Sequence, residues 1–546
     1  MALLVGVSTV PMQAAAVTSF DESAWHKPSA SHVAPRAFAV EDIRVSGEYV
    51  WKANGKADVR VAWRTPAEHA DDSLTFLVTL YRDDTGGPLV RGFSTKAQAV
   101  RLRNLKPEHS YGVEVQVKGQ AIDGVPYYSA FNFTVPTPPT PEGPPIVSPW
   151  VVSLGDSFIS GEGARWAGNA DELGFIDRGR SIYYDSWSKR AELIDRCHRS
   201  TSALVHFGIG VPGYRVQTKN FACSGAITKS ELLDSNGNPI PEGAATPDTI
   251  IWKPGIDFYE EEGRIGQAEM LRRFAQTHDV RMVILSIGGN DFHFADIVTD
   301  CVTDFLFSPF RERCEVDPET QAYVNPAAVQ RVTADIKGAV LNIAQAMSEA
   351  GIEDDSWTLV QALYPKPMAD ESDIRYPEDM SRQSVGGCGM FDSSIDWATG
   401  PLLTTINDAV KEAGRLARID RPGLQLVTMD TSNAFRGHEL CSKYAARIGD
   451  DGRFVDRNLP YEDDTAVPWW SDRAVNFAEW VMDINVTQPG EAMKQENFHP
   501  NYWGQLALRN CYRSAWNGGS VRGGVCVPGR GLNAYNEPQM TFSPAP

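Results

Sequence analysis

Residues 150–163 read Trp-Val-Val-Ser-Leu-Gly-Asp-Ser-Phe-Ile-Ser-Gly-Glu-Gly, an apolar run that ends in a glycine-rich turn. The run predicts a buried strand at 150–154, and Ser157 follows that strand closely. Open α/β sheets carry their reactive groups in the loops after the carboxyl ends of their strands. The stretch therefore predicts a parallel sheet with a serine hydroxyl at its functional edge.

Beyond this strand, residues 150–526 alternate apolar runs with helical periodicity. Three more strands are predicted, at 281–287, 357–363 and 424–429. Asn325 and Pro326 are typical of a helix cap and a first helical residue, and apolar residues then recur every three or four positions until Gly351. Leucine, isoleucine and valine at 402, 406 and 410 mark another helix. This alternation indicates an α/β fold, in which a parallel sheet is flanked by helices.

Residues 39–135 have a different texture, in which apolar and polar residues alternate as in half-buried strands. Segments 58–63 and 74–81 show the alternation, and Gly86-Gly87 predicts a turn after the second. The segment 105–115 resembles the tyrosine corner and penultimate strand of a fibronectin type III domain, with Trp63 as the core tryptophan. The resemblance implies a small all-β sandwich that precedes the α/β domain.

Two further segments complete the predicted domain organisation. Residues 136–149 are rich in proline, which predicts a semi-rigid linker between the domains. The second domain is expected to span 150–526, and residues 527–546 are expected to form a flexible tail.

Composition limits the classes of partner. The 546 residues include 51 Lys and Arg against 70 Asp and Glu, a formal net charge of −19. An acidic chain of this kind is a poor candidate for binding nucleic acid or an anionic membrane surface. The charge is adequately explained by solubility.

The beginning of the chain and its cysteines both indicate export. Residues 1–16 are apolar and end in Ala14-Ala15-Ala16, which is typical of a signal-peptide cleavage site, although the usual basic residues are missing. Pro11 and Gln13 leave this segment too short to span a membrane. Eight cysteines, with no Cys-x-x-Cys pair, favour disulfides over a metal site. We therefore expect a secreted protein with a signal-peptide remnant at 1–16, no transmembrane segment and no metal.

Two other loops carry groups that complement a serine hydroxyl. The segment Gly288-Gly289-Asn290-Asp291 follows the apolar run 282–287, and Glu496-Asn497-Phe498-His499-Pro500 lies near the end of the domain. A nucleophile, an amide donor and a base, each in a loop, indicate acyl transfer.

Four blocks of the chain match a known family in order. They are Gly155-Asp156-Ser157, Gly225 within Ala222–Ala226, Gly288–Asp291 and His499-Pro500. In this order they resemble the SGNH (GDSL-type) hydrolases, and Cys197-His198-Arg199-Ser200 with Cys223 is similar to the secreted actinobacterial esterases and lipases of that family. The resemblance implies a three-layer α/β/α sandwich.

The resemblance also implies roles for the loop residues. Ser157 would be the nucleophile and His499 the general base that takes its proton. The oxyanion hole would consist of the backbone N–H groups of Ser157 and Gly225 and the side-chain amide of Asn290. Each has a structural alternative, since Ser157 and His499 could cap helices, Gly225 could be a plain turn residue, and Asn290 could form an Asx-turn.

Glu496 departs from the family pattern, which has aspartate three residues before the histidine. Glutamate can still hydrogen-bond the imidazole, so we expect its carboxylate to accept from Nδ1 of His499. The alternative, found in some relatives, is a backbone carbonyl that orients the ring, with Glu496 facing solvent or capping a helix. His293 is the nearest rival base and is expected at the pocket or its rim, and Asp156 is expected to shape its loop.

The family pattern further implies the disulfides Cys197–Cys223, Cys301–Cys314 and Cys388–Cys441. The pair Cys511–Cys526 is inferred only because these two cysteines remain. Sequence alone does not establish the connectivity.

These observations predict a secreted serine ester hydrolase that works through an acyl-enzyme without a cofactor. The substrate would be a small-molecule or polymer-bound ester, either a lipid-like acyl ester or an acetylated carbohydrate, and the protein is expected to be a monomer. Fold analogy does not decide between these substrates. The alternative from another class is a non-catalytic surface- or polysaccharide-binding protein that retains the hydrolase fold.

Overall fold

The computed structural model describes residues 40–46, 49–52, 56–66, 74–82, 89–122, 125–136, 148–168, 197–208, 216–234, 239–240, 251–261, 263–307, 312–378, 381–448, 472–484 and 496–545. The chain divides into two compact units, Met1–Ile146 and Val147–Pro546. The segment interpreted as a signal-peptide remnant, the Gly86-Gly87 turn and most of the proline-rich linker lie outside the described residues.

The first unit is built from antiparallel strands. They are β1 (Glu41–Val45), β2 (Val50–Trp51), β3 (Ala57–Arg64), β4 (Phe76–Arg82), β5 (Leu89–Thr95), β6 (Ala99–Leu105), β7 (Ser110–Ile122) and β8 (Val125–Thr134). Strands β1, β2 and β6 all pair with β3, while the second sheet has the order β5-β4-β7-β8.

The core of the first unit follows from the alternation seen in the sequence. Along β7, Tyr111, Val113, Val115 and Val117 are buried, and the intervening residues are more exposed. Trp63 is buried and packs edge-on against Phe76, with 5.4 Å between the ring centroids. The Tyr111 hydroxyl accepts a hydrogen bond of 2.8 Å from the backbone N–H of Lys106, which is the contact that a tyrosine corner makes.

The second unit alternates strands and helices. Its strands are β9 (Trp150–Gly155), β10 (Gln217–Asn220), β11 (Glu231–Leu233), β12 (Ile251–Lys253), β13 (Glu260–Glu261), β14 (Arg264–Ile265), β15 (Val280–Ser286), β16 (Thr358–Ala362), β17 (Leu426–Asp430), β18 (Gly524–Leu532) and β19 (Pro538–Pro544). Its helices are α1 (Ser157–Ser160), α2 (Gln267–Ala275), α3 (Phe294–Phe307), α4 (Pro318–Val324), α5 (Pro326–Glu349), α6 (Ser381–Gly386), α7 (Asp392–Trp397), α8 (Leu403–Asp420), α9 (Asp472–Phe477) and α10 (Tyr502–Trp516).

The main sheet of this unit has the order β10-β9-β15-β16-β17-β18-β19. All neighbouring pairs up to β18 are parallel, and only β19 runs antiparallel to its neighbour. The four apolar runs predicted as strands lie side by side as β9, β15, β16 and β17. The loops after β10, β9 and β15 therefore leave the sheet at the same edge, next to one another.

The helix predicted after residue 325 is confirmed as α5. The Asn325 side chain accepts a hydrogen bond of 2.9 Å from the Ala328 N–H, and Pro326 occupies the first helical position. Its buried residues, among them Val332, Ile336 and Ile343, follow the predicted periodicity. This face packs against α2 and α8.

The four disulfides of the structure are the four expected pairs. They join Cys197 to Cys223, Cys301 to Cys314, Cys388 to Cys441 and Cys511 to Cys526. The last of these fastens α10 to β18, so the end of the chain is tied to the domain covalently.

The expectation of a flexible tail at 527–546 is wrong, because this segment forms most of the hairpin of β18 and β19. Strand β18 extends the sheet beyond β17, and β19 packs against α10. Between the two strands, the buried Glu537 carboxylate pairs with the Arg513 guanidinium. Partners supplied by α10 and β17 order a segment whose own sequence is polar and rich in glycine and proline.

We predict that deleting residues 527–546 destabilises the second unit. The deletion removes the Glu537 carboxylate from Arg513 and exposes to water the face of α10 on which β19 packs, so the free energy of unfolding should fall by about 2 kcal/mol or more. Urea unfolding followed by circular dichroism measures the effect, and Thr541→Ala, at an exposed position of β19, serves as the control. An unfolding midpoint that the deletion leaves unchanged would show that the hairpin contributes nothing to the fold.

Candidate active site

Ser157 lies where β9 ends and α1 begins. Gly155 brings this turn so close to β15 that a Cβ on it would lie 1.8 Å from the Ser286 carbonyl oxygen, so only glycine fits. Asp156 caps α1, its carboxylate accepting a hydrogen bond of 3.2 Å from the Phe158 N–H. Ser157 is 6% exposed at the edge of the sheet where the sequence predicts it.

His499 lies in the turn that leads into α10. The turn is held at both ends, because the Asn501 side chain caps α10 and the His499 carbonyl accepts from the Met482 N–H. The Ser157 hydroxyl lies 2.7 Å from His499 Nε2, although the two residues are 342 positions apart. His499 Nδ1 lies 2.8 Å from the Asn497 carbonyl oxygen. A carbonyl only accepts, so Nδ1 carries the proton and Nε2 can accept the serine proton.

The electrostatic surroundings favour a neutral imidazole. Burial lowers the pKa of His499, and the negative charge of Glu162 opposes that effect without overcoming it. The unprotonated ring is the form that can act as a general base.

The structure contradicts the expected hydrogen bond between Glu496 and His499. The Glu496 carboxylate instead accepts a hydrogen bond of 2.6 Å from the indole N–H of Trp166, and both side chains are buried. Glu496 therefore neither faces solvent nor orients the ring. Phe498, between Asn497 and His499, has a left-handed backbone conformation with a φ of +63°. The chain turns at this residue, and the Asn497 carbonyl contacts the His499 imidazole.

The expected oxyanion donors lie in the loops after three adjacent strands. Within the described part of the chain, the backbone N–H groups of Ser157 and Gly225 donate to no protein acceptor. Gly225 has a φ of +74°, and a Cβ there would lie 3.2 Å from Lys253 Cε. Asn290 donates one amide hydrogen to the Ala226 carbonyl at 2.9 Å, which leaves its other hydrogen for a ligand.

Buried polar contacts connect these loops. The Asp291 carboxylate accepts from the N–H and the hydroxyl of Thr228, at 3.1 and 2.6 Å. The Tyr364 hydroxyl donates to the Asp156 carboxylate and accepts from the Gly289 N–H at 2.9 Å. Burial raises the pKa of Asp156 to about 7, against the lowering effect of the Tyr364 hydrogen bond. Asp156 thus accepts from the residues that shape its loop, which agrees with the role expected for it.

His293, the rival base, does not contact Ser157. It adopts a left-handed conformation with a φ of +55°, and its Nδ1 lies 2.9 Å from the Asp296 carboxylate. Its ring stacks on Tyr323 with 4.2 Å between centroids, and the side chain is about half exposed. The structure brings His499, not His293, to the serine.

Three buried residues around the site have no predicted role: Tyr364, Glu162 and His198. Glu162 stands between two glycines in the turn after Ser157, and His198 follows Cys197. A charged residue inside a glycine-rich turn and a histidine beside a disulfide cysteine are signals that could have identified two of them. Tyr364, directly after a buried strand, offers no distinguishing signal.

Within the described ranges, no cluster of His, Cys, Asp and Glu has a metal-binding arrangement. The same ranges contain no helix with the length and apolar content needed to cross a membrane.

Comparison with known proteins gives a coarse relationship. Neither a known family nor a curated protein sequence matches the chain. Among solved structures, an extracellular lipase from Streptomyces rimosus is 17% identical, covers 66% of this chain and 95% of its own, and has a TM-score of 0.30. A family two carbohydrate esterase from Clostridium thermocellum in complex with cellohexaose is 10% identical, with coverages of 71% and 88% and a TM-score of 0.25. The fourth FNIII domain of a human protein is 13% identical over 22% of this chain and 93% of its own, with a TM-score of 0.16. Similarity at this level assigns no residue role.

We predict that Glu496→Gln retains kcat within about threefold, because the Asn497 carbonyl orients the imidazole and the amide oxygen of glutamine can still accept from Trp166. Steady-state hydrolysis of an activated ester measures this. Loss of a charged triad carboxylate costs about ten-thousandfold in kcat. A fall of that order would show that Glu496 acts as the triad carboxylate.

We also predict the pH dependence. The lowered pKa of His499 places the acid limb of kcat/KM below pH 6.5, because activity requires the neutral imidazole and that form persists to lower pH. The profile is measured with an uncharged ester. A limb near pH 7 that disappears in Asp156→Asn would instead identify Asp156 as the controlling group.

Proposed function

We propose that this protein is a secreted serine ester hydrolase of the SGNH (GDSL-type) family, with Ser157 as nucleophile and His499 as general base. The observation that carries the proposal is the 2.7 Å contact between the Ser157 hydroxyl and His499 Nε2, with Nδ1 held by a carbonyl. A serine hydroxyl is a weak nucleophile until a base takes its proton, and this geometry supplies the base.

The reaction proceeds in two halves. Ser157 Oγ attacks the ester carbonyl as its proton passes to His499 Nε2, and the carbonyl oxygen becomes an oxyanion. The N–H groups of Ser157 and Gly225 and the free amide hydrogen of Asn290 stabilise that oxyanion, each worth about a hundred- to a thousandfold in rate. Collapse expels the alcohol, which receives the proton from His499. Water then attacks the acyl-enzyme with His499 again as base, which releases the acid and restores Ser157.

The fold proposal is a three-layer α/β/α hydrolase domain preceded by a fibronectin type III-like sandwich. The parallel order of β10, β9, β15, β16 and β17 supports the first, and the Tyr111–Lys106 contact supports the second. We place the sandwich at 39–135 and the linker at 136–149. The hydrolase domain extends from 150 through the β18–β19 hairpin rather than ending at 526.

The substrate proposed is an ester of a lipid-like acyl chain or an acetylated carbohydrate. Four disulfides fit an oxidising extracellular compartment. The reaction uses no cofactor, and a monomer supplies every group named. A non-catalytic binding protein would have no use for a serine, a base and three donors held together, which disfavours that alternative.

We predict that Ser157→Ala lowers kcat for p-nitrophenyl acetate by about a thousandfold or more, because only the attacking oxygen is lost. Ser160→Ala is the matched control, since it removes another buried hydroxyl of the same turn. The Ser160 hydroxyl donates to the Ser157 carbonyl and does not contact His499. This variant should keep kcat within about threefold. Wild-type turnover in Ser157→Ala would refute the mechanism.

A substrate series then separates the two ester classes. Rates on p-nitrophenyl esters from acetate to palmitate are compared with acetate release from an acetylated polysaccharide. A maximum at long chains identifies a lipid-like substrate, and a preference for the polymer identifies a carbohydrate esterase. A folded protein that cleaves none of them is the non-catalytic alternative.

A further inference from the structure

A fully buried charged pair lies beside the proposed site. Glu162 and His198 are both 0% exposed, and Glu162 Oε1 accepts a hydrogen bond of 2.6 Å from His198 Nδ1. The other carboxylate oxygen accepts from the Ser224 hydroxyl. Moving two charges from water into the protein interior is unfavourable, so a buried pair of this kind calls for a physical reason.

The position of the pair suggests that reason. Glu162 belongs to the turn that follows Ser157, and its backbone N–H donates to the Ser157 carbonyl at 3.4 Å. Ser224 directly precedes Gly225. One carboxylate therefore spans from the loop of the nucleophile to the loop of an oxyanion donor.

Ser224 is held through each of its polar groups. Its hydroxyl donates to Glu162, its carbonyl accepts from Lys253 Nζ at 2.6 Å, and its N–H donates to the Cys197 carbonyl at 3.0 Å. Of these three hydrogen bonds, only the one from the hydroxyl connects this loop to the turn that follows Ser157. The other two connect it to β12 and to the disulfide segment.

The carboxylate is suited to this contact because it stays ionised. Burial acts to raise the pKa of Glu162, but the charge and hydrogen bond of His198 outweigh it and hold the pKa below its ordinary value. Burial acts to lower the pKa of His198, and the charge and hydrogen bond of Glu162 reverse that effect. An ionised carboxylate accepts at both oxygens, so it can hold His198 and Ser224 together.

The Glu162–His198 pair is not needed to hold the segments of His198 and Ser224 together. The Cys197–Cys223 disulfide and the Ser224 N–H bond to Cys197 already join the two segments that carry His198 and Ser224. Neither contact reaches the turn after Ser157. Backbone hydrogen bonds of 3.0 Å do link the two segments to the strand and turn of the nucleophile, from the Cys223 N–H to the Gly155 carbonyl and from the Ser200 N–H to the Ser160 carbonyl. The Glu162 carboxylate adds a contact to the side chain of Ser224, the residue before Gly225.

We propose that Glu162, held by His198 and bonded to Ser224, is a positioning residue that sets the Gly225 N–H relative to the Ser157 hydroxyl. This inference rests on the proposed ester hydrolysis and deepens it. The oxyanion donor works only if its N–H is aimed at the place where negative charge develops. Glu162 sets the direction of the Gly225 N–H through its hydrogen bond with Ser224, and it does not touch the substrate.

The test compares Glu162→Gln with the wild type on an aryl acetate and on the matching thionoacetate, in which sulfur replaces the carbonyl oxygen. Sulfur is a weaker hydrogen-bond acceptor, so thionoester hydrolysis depends less on the donors. Glu162→Gln should lower kcat on the aryl acetate by about ten- to a hundredfold with KM within about threefold. The rate ratio of oxygen ester to thionoester should fall by about tenfold. Loss of stability alone does not change this ratio.

The matched control is Glu537→Gln, which alters another buried carboxylate, the one paired with Arg513. Arg513 lies eleven residues into α10, roughly 16 Å along the helix axis from its start near His499. Glu537→Gln should lower the unfolding temperature but leave kcat and the rate ratio at their wild-type values.

Ser224→Ala keeps the test decisive if Glu162→Gln does not fold. It removes only the hydroxyl that contacts Glu162 and should lower both kcat and the rate ratio in the same direction, by about threefold or more. A wild-type kcat and rate ratio in a folded Glu162→Gln or Ser224→Ala protein would overturn the inference. A wild-type protein without esterase activity would overturn the proposed function and this inference with it.

Discussion

The hydrogen bond between the Ser157 hydroxyl and His499 Nε2 is the interaction on which the rest of the site depends. It joins two residues that are 342 positions apart, so it forms only when the fold brings the turn after β9 and the turn before α10 together. The parallel sheet brings the loops after β10, β9 and β15 to one edge, and the turn before α10 brings the base to them. Tyr364, Asp291 and Glu162 then fix the loops against one another through buried hydrogen bonds.

The orientation of the base by a backbone carbonyl has consequences for its electrostatics. A carbonyl fixes the tautomer of His499 as a carboxylate would, but it carries no net charge to stabilise the imidazolium that forms during attack. The lowered pKa of His499 agrees with this arrangement. The negative charge of Glu162 acts to raise the pKa of His499, although the Glu162 carboxylate is bound to His198 and Ser224 and not to His499. The pKa of the base therefore depends on Glu162 as well as on its direct contacts with Ser157 and Asn497.

Much of this site can be predicted from sequence because its signals are local. Ser157 and Asn290 directly follow apolar runs, so their places at the sheet edge follow from the pattern of strands. Sequence predicts the wrong partner for Glu496, because the spacing brings its backbone near His499 whereas its carboxylate bonds Trp166, 330 residues away. The composition of residues 527–546 does not predict the β18–β19 hairpin, because its order comes from contacts with β17 and α10. Local sequence distinguishes Glu162 and His198 separately, but their pairing depends on a contact across 36 residues that no local pattern encodes.

The central claim is that Ser157 becomes acylated during turnover. The direct measurement is to mix the protein with p-nitrophenyl acetate, quench in acid during the first turnover, digest, and locate the adduct by mass spectrometry. The account predicts one acetyl group on the peptide that contains Ser157, formed together with a burst of nitrophenol. Turnover that proceeds with no acetyl group on Ser157, or with the acetyl group on another residue, would contradict it.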